Sequence, residues 1–158
     1  MLQVTIRQAT PEDVEGIIPL WQEMADFNAA FDPRMEITPE GTEHFRQHLL
    51  LRLEDDDSCV LIAEVEEEIV GYTIGRVVSN PPVFSLSKYA YVSDICVTEG
   101  WRRRGIGRRL YQALCDWFKA KGLSVVQLST LHHNPVSQAF WRAMGFSDYL
   151  DRLWCEIC

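Results

Sequence analysis

Arg102-Arg103-Arg104-Gly105-Ile106-Gly107-Arg108-Arg109-Leu110 follows directly on an apolar run that ends in Ile95-Cys96-Val97. It opens a segment whose apolar residues Leu110, Leu114, Trp117 and Phe118 fall at helical spacing. A strand, a basic glycine turn and then a helix is an arrangement that turns backbone N–H groups toward phosphate oxygens. Glycine permits close approach and positive φ, and the helix N-terminus adds positive potential. Arginines supply charge-assisted hydrogen bonds. The stretch therefore predicts a site for a phosphate-bearing cofactor. It is not a P-loop, which needs two glycines five apart followed by Lys and Ser or Thr. Nor is it a dinucleotide fingerprint, because no third glycine follows Gly105-x-Gly107.

The remaining pattern, Arg102-x-x-Gly105-x-Gly107, resembles the acyl-CoA pyrophosphate loop of the GNAT superfamily of N-acetyltransferases. Three other segments agree with the resemblance in the same order. Ile6-Arg7-Gln8-Ala9-Thr10-Pro11-Glu12-Asp13 is similar to the family's first strand leading into its first helix. Val92-Ser93-Asp94-Ile95-Cys96-Val97 is similar to its central strand. Asn134-Pro135-Val136-Ser137-Gln138-Ala139-Phe140-Trp141, continuing to Gly145-Phe146, is similar to its last helix.

The resemblance implies an α/β (α+β) fold, with a mixed, mostly antiparallel sheet splayed at the acyl-CoA site and flanked by about four helices. It implies acetyl-CoA as co-substrate, held by the backbone of Ile95, Cys96 and Val97. Arg102, Arg103, Arg104, Gly105, Ile106, Gly107 and Arg108 would take the phosphates, and Asn134 and Ser137 would flank the pantetheine arm. It also implies transfer of an acetyl group to a primary amine by direct attack in a ternary complex, with no metal.

Composition fits one domain spanning residues 1–158, with 47% hydrophobic residues, enough for a sizeable core. No apolar run approaches the ~20 residues of a membrane span, and the first residues lack the charged head and long apolar core of a secretory leader. Five cysteines with no C-x-x-C pair favour reduced thiols and a cytoplasmic protein. Net charge is −8, yet five arginines crowd into residues 102–109. An acidic surface with one basic spot suits an anionic cofactor and a cationic acceptor, and lacks the broad basic face of a nucleic-acid binder.

Along the chain, residues 2–9 read as a strand, with Thr10, Pro11 and Asp13 starting a helix. Pro19 is expected to bend or divide that helix. Thr38-Pro39 marks a second start. Residues 59–66 and 69–78 read as strands joined tightly through Glu67-Glu68, and Tyr89 to Val97 as the central strand. Gly122 ends the next helix, Val125 to Thr130 forms a further strand, and residues 146–157 are expected to form a final hairpin.

Proton handling departs from the resemblance. A tyrosine one turn before Gly-Phe usually serves as general acid, and Trp141 stands there; indole donates a hydrogen bond but holds its proton near neutral pH. Tyr111, Ser137 or a water are alternatives, or the thiolate leaves unaided; core packing is the other reading of Trp141. Strand alternation puts Tyr89, Tyr91 and Ser93 on the face of Ile95 and Val97, and turns Asp94 away as a structural residue. The catalytic residues are thus unassigned. His132 and His133 read as turn residues rather than ligands. The resemblance places the acceptor between the first two helices, with Phe27, Asp32, Tyr91 and Ser93 as lining. A small-molecule amine is the leading acceptor. A protein or peptide amine, and a non-catalytic acyl-CoA binder, are the alternatives. A homodimer is the expected assembly if the apolar C-terminus is an interface.

Overall fold

The computed structural model describes residues 2–158; Met1, the first residue of the expected domain, lies outside them. Strand β1 (Thr5–Gln8) leads through a short turn of 3-10 helix into α1 (Val14–Phe31), then α2 (Gly41–Glu54). Strands β2 (Ser58–Val65), β3 (Glu68–Ser79) and β4 (Lys88–Val97) follow, then α3 (Ile106–Ala120), β5 (Val126–Gln127) and α4 (Pro135–Ala143). The sheet order is β1-β2-β3-β4-β5, antiparallel except for the β4–β5 pair.

The sheet is covered on both faces, which explains why β2 reads as an almost continuous apolar run rather than an alternation. On one face Ile17, Leu49, Ile62, Tyr72 and Ile74 pack α1 and α2 against β2 and β3. On the other, Leu61, Ala63 and Val92 meet Ile106, Leu110, Leu114 and Phe118 of α3, with Trp141 of α4 beside them. Helix α3 sits hard on the sheet at Gly75, where an added Cβ would lie 2.6 Å from Leu114 Cδ1 and 2.7 Å from Phe118 Cζ.

Two of the sheet's details set up the site. The β3–β4 register slips between Ile74 and Gly75: Ile74 faces Asp94 while Gly75 faces Val92, so one extra residue of β4 is accommodated there. Such a bulge reverses the phase of side-chain alternation beyond it. In addition, β4 and β5 pair only at Ala90–Val126 and Tyr91–Gln127. Beyond that point the two strands part, and the flank of Asp94–Val97 turned away from β3 has no strand beside it.

Several sequence expectations are corrected. Pro19 neither divides nor ends α1, which runs unbroken as an α-helix. The second helix begins at Gly41, because Thr38 and Pro39 form the turn before it, with the Thr38 carbonyl accepting from Gly41 N–H. The β2–β3 turn falls on Glu66 and Glu67, both at positive φ (48° and 69°), a twist that matches a two-residue hairpin. The strand expected at Val125 to Thr130 shortens to two residues. Residues 146–157 form no hairpin. They run as irregular chain, with Leu150, Leu153, Trp154 and Ile157 exposed and Trp154 lying under Arg34. Alternating apolar residues supply a strand pattern, but pairing needs an edge within reach, and a two-residue β5 offers almost none.

Candidate active site

The turn after β4 is built to leave N–H groups free. Arg103 and Gly105 both adopt positive φ, 61° and 78°, and Gly105 is the N-cap of α3. An added Cβ on Gly105 would meet no atom within 4 Å, so glycine is required there by backbone conformation rather than by crowding. The first N–H groups of α3 have no partner within the helix. Arg103, Arg104 and Arg108 are exposed around them. This exposed, positively charged cradle fits a pyrophosphate. The flank of Ile95–Val97 that lacks a neighbouring strand leads away from it, and fits an arm carrying amide groups.

Arg102 is placed differently from its neighbours. Its Nε donates to the Val97 carbonyl at 2.8 Å, its Nη2 to Glu23 Oε1 at 2.9 Å, and its guanidinium lies 5.5 Å from the centre of the Phe27 ring. Glu23 of α1 also accepts from Thr98 Oγ1 and from Glu99 N–H, each at 2.9 Å. One carboxylate thus fastens the start of the Arg102–Arg108 turn to α1. Glu23 is a residue that the sequence reading missed, since nothing local marks its partners.

Across the splay, Asn134 caps α4 by accepting from Ser137 N–H at 3.1 Å, while its Nδ2 donates to Asn28 Oδ1 of α1 at 2.9 Å. Asn134 is buried, and its amide orientation is fixed from both ends. Ser137 shares a 2.8 Å hydrogen bond with Thr130. Cofactor and acceptor candidates therefore meet: Arg102 touches Phe27, and Asn134 touches α1. Asp32 is buried and bound by Arg34, whose hydrogen bonds hold its carboxyl down at about 2. Its charge is committed to that pair.

The bulge overturns the expected facing of β4. Ala90 and Val92 before it, and Ile95 and Val97 after it, belong to the α3 side, whereas Cys96 packs on the α1–α2 side. Tyr91 lies with Arg76, its β3 partner, on the α1–α2 side too, and its hydroxyl is 3.3 Å from Ser129. Tyr91 is therefore not on the face of Ile95 and Val97, contrary to simple alternation. It shares its face with Asp94, whose carboxyl accepts from Tyr72 Oη at 2.9 Å. Desolvation by burial holds Asp94 above the ordinary carboxylate range, and the Tyr72 bond only partly opposes it. The same burial raises the Tyr72 hydroxyl, and pushes the Cys96 thiol, whose Sγ contacts the Leu20 carbonyl, up to about 12.

Trp141 is core. Its ring packs edge-on against Tyr111 at 5.5 Å and Phe146 at 5.0 Å. Burial raises the Tyr111 hydroxyl as well, so that phenol keeps its proton.

Residues 21–146 match the model of the acetyltransferase (GNAT) family. The chain belongs to the GNAT family. Among related sequences, the N-acetyltransferase YhfO of Bacillus subtilis (strain 168), itself uncharacterized, is 29% identical over 92% of this chain and 91% of its own. The L-2,4-diaminobutyric acid acetyltransferase of Halomonas elongata is 29% identical over 86% of this chain, which spans 60% of that enzyme. Among solved structures, the aminoglycoside N-acetyltransferase AAC(6')-Iy in complex with CoA superposes with a TM-score of 0.79 at 18% identity, covering 99% of this chain and 96% of that one. This GNAT protein is an acetyl-CoA-dependent acetyltransferase with the mixed, mostly antiparallel sheet of the family. No helix among the described residues is long and apolar enough to cross a membrane.

Proposed function

We propose that this enzyme moves the acetyl group of acetyl-CoA to the primary amine of a small molecule, by direct attack in a ternary complex. The observation that carries the reading is Asp94: a desolvated carboxyl at the bulge of β4, on the face beneath α1 and α2. An ammonium acceptor must lose a proton before it can attack, and a carboxyl raised above its ordinary value is the better proton acceptor. Names of relatives support a small acceptor, since one acts on L-2,4-diaminobutyric acid and a structural neighbour on aminoglycosides. The peptide alternative needs a groove walled by a final hairpin that this chain does not form.

Acetyl-CoA supplies the thioester. The turn at Arg103–Arg108 takes its phosphates, with Arg102 holding that turn in place through Glu23. Asn134 and Ser137 line the arm from the α4 side, opposite the backbone of Ile95, Cys96 and Val97. A backbone N–H on that strand polarises the thioester carbonyl, a donor typically worth ~2.7–4 kcal/mol of barrier. Asp94 receives the amine proton, with Tyr91, Ser93 and Phe27 lining the acceptor side. The new C–N bond forms as the C–S bond breaks, and the thiol leaves as thiolate, consistent with Trp141 having no proton to give.

The protein works as one domain in the cytoplasm, where its cysteines stay reduced. A second copy covers the exposed Leu150, Leu153, Trp154 and Ile157, giving a homodimer detectable by sedimentation. The test of function is thiol release from acetyl-CoA with a panel of amines, on wild type and Asp94→Asn. Loss of the base should lower kcat by about 10²–10⁴-fold while CoA affinity is kept. Failure of every small amine to release thiol would refute the reading.

A further inference from the structure

Arg76 stands on β3 opposite Tyr91, on the α1–α2 face that also carries Asp94. Its Nε is buried and has no hydrogen-bond partner among the described residues, and its guanidinium forms no ion pair there. It rests 5.7 Å from the centre of the Tyr91 ring. Arg76 as a whole is half-buried, and leaving its buried Nε–H donor unmet is costly.

The neighbours do not supply the missing acceptor. Asp55, which follows α2, feels the charge of Arg76 but is taken by Ser58 at 2.7 Å and Arg52 at 3.4 Å. His48 of α2 faces the same space, and burial with the nearby charges of Arg52 and Arg76 holds it below its ordinary value, hence neutral. Tyr91 offers a ring face, and its hydroxyl is engaged with Ser129. The one carboxylate nearby, Asp55, is shared with Arg52, and none is hydrogen-bonded to Arg76. Arginine's planar fork is matched by a carboxylate.

We infer that Arg76 binds a carboxylate on the acceptor, so that the acceptor is an amino acid carrying a second, reactive amine rather than a plain polyamine. The inference rests on the small-amine reading of the site. Spacing agrees: Arg76 is two residues along β3 from Ile74, which faces Asp94, or about 6.5 Å of strand. Arg76 and Asp94 therefore rise from one face of the sheet only two residues of strand apart, close enough for one small acceptor to meet both. Tyr91 then has a definite task, packing the aliphatic carbons between the two ends.

The experiment compares acceptors that differ by one carboxylate: 2,4-diaminobutyrate with 1,3-diaminopropane, ornithine with putrescine, and lysine with cadaverine. Thiol release is measured with wild type, Arg76→Gln and Arg76→Lys, after their melting temperatures show that all three are folded. Wild type should favour the best diamino acid over its diamine by about 10- to 100-fold in kcat/KM. In Arg76→Gln the ratio should fall toward one, and Arg76→Lys should recover part of it. A wild type that uses diamines equally well overturns the inference, as does an unchanged ratio in Arg76→Gln.

A binding arm separates this from the function itself. Each diamino acid is titrated by calorimetry into protein saturated with CoA. Binding by wild type and not by Arg76→Gln, without thiol release from any acceptor, would sink the transfer reading and leave the carboxylate assignment standing. No binding to wild type and no turnover would sink the assignment.

Discussion

Glu23→Ala should loosen the phosphate turn without touching any group that meets the cofactor. The Glu23 carboxylate accepts three hydrogen bonds, from Thr98 Oγ1, Glu99 N–H and Arg102 Nη2, all at 2.9 Å. The Arg102 and Glu23 side chains keep 33% and 32% of their surface, so solvent screens the ion pair. Taking each net bond at the low end of its range, and the screened pair at well under 1 kcal/mol, the loss is about 2 kcal/mol. For a chain of this size that is about 4–8 °C in Tm.

Glu23→Gln separates geometry from charge. The amide oxygen can still accept from Glu99 and Arg102, and the amide nitrogen can donate to Thr98, so only about 0.5–1 kcal/mol should be lost. CoA affinity should follow the same order. Re-ordering the freed turn and its arginine costs about one or two side-chain immobilisations, or about 3–10-fold in Kd for the alanine variant. Thermal melts with calorimetric CoA titration read both. An alanine variant melting within about 1 °C of wild type, or a glutamine variant as damaged as the alanine one, would refute the account of Glu23 as the fastening.

Three other changes follow from the same geometry. Gly105→Ala and Gly105→Glu should each lose about 1–2 kcal/mol by forcing an L-residue to φ 78°, but calorimetry should show CoA binding abolished only by glutamate, whose charge opposes the phosphates. Asn134→Ala should cost about 1–2 kcal/mol through the lost α4 cap and raise KM for acetyl-CoA more than it changes kcat in steady-state assays. Asp94→Asn should be more stable than wild type at neutral and alkaline pH. A carboxyl whose folded value is raised stabilises fully only below its unfolded value, and that contribution fades as pH rises through the folded one. Urea melts should therefore show the asparagine advantage shrinking on acidification, and its rate profile should lose the acid limb that Asp94 imposes.

The glycine turn that opens α3 was legible in the sequence because its determinants are local: positive φ, a helix start and positive charge all lie within Arg102–Arg108. The helices of both layers were legible from their spacing for the same reason. The facing of β4 was not. It depends on a slip against β3 that no pattern within β4 reveals, and that slip moves Tyr91 away from Ile95 and Val97 and puts it beside Asp94. Glu23 and Arg102 are 79 residues apart, and Asn28 and Asn134 are 106 apart, so neither pairing has a sequence signature. The C-terminal alternation misled in the opposite direction, by showing a strand preference with no edge to satisfy it.

The placement of the five thiols divides them by speed of reaction. Cys59 and Cys96 are buried, with burial pushing them to about 11 and about 12, while Cys155 and Cys158 stand exposed in the C-terminal segment and Cys115 is intermediate. Thiolate is the reactive form, so a disulfide reagent should consume the two terminal thiols at once and reach the buried pair only on unfolding. A thiol-release assay on this enzyme therefore starts from a fixed burst proportional to protein, and slow appearance of the last thiols is a clock for global opening. Replacing Cys155 and Cys158 with serine would clear the burst, and would also bar covalent joining of two chains through their tails under air.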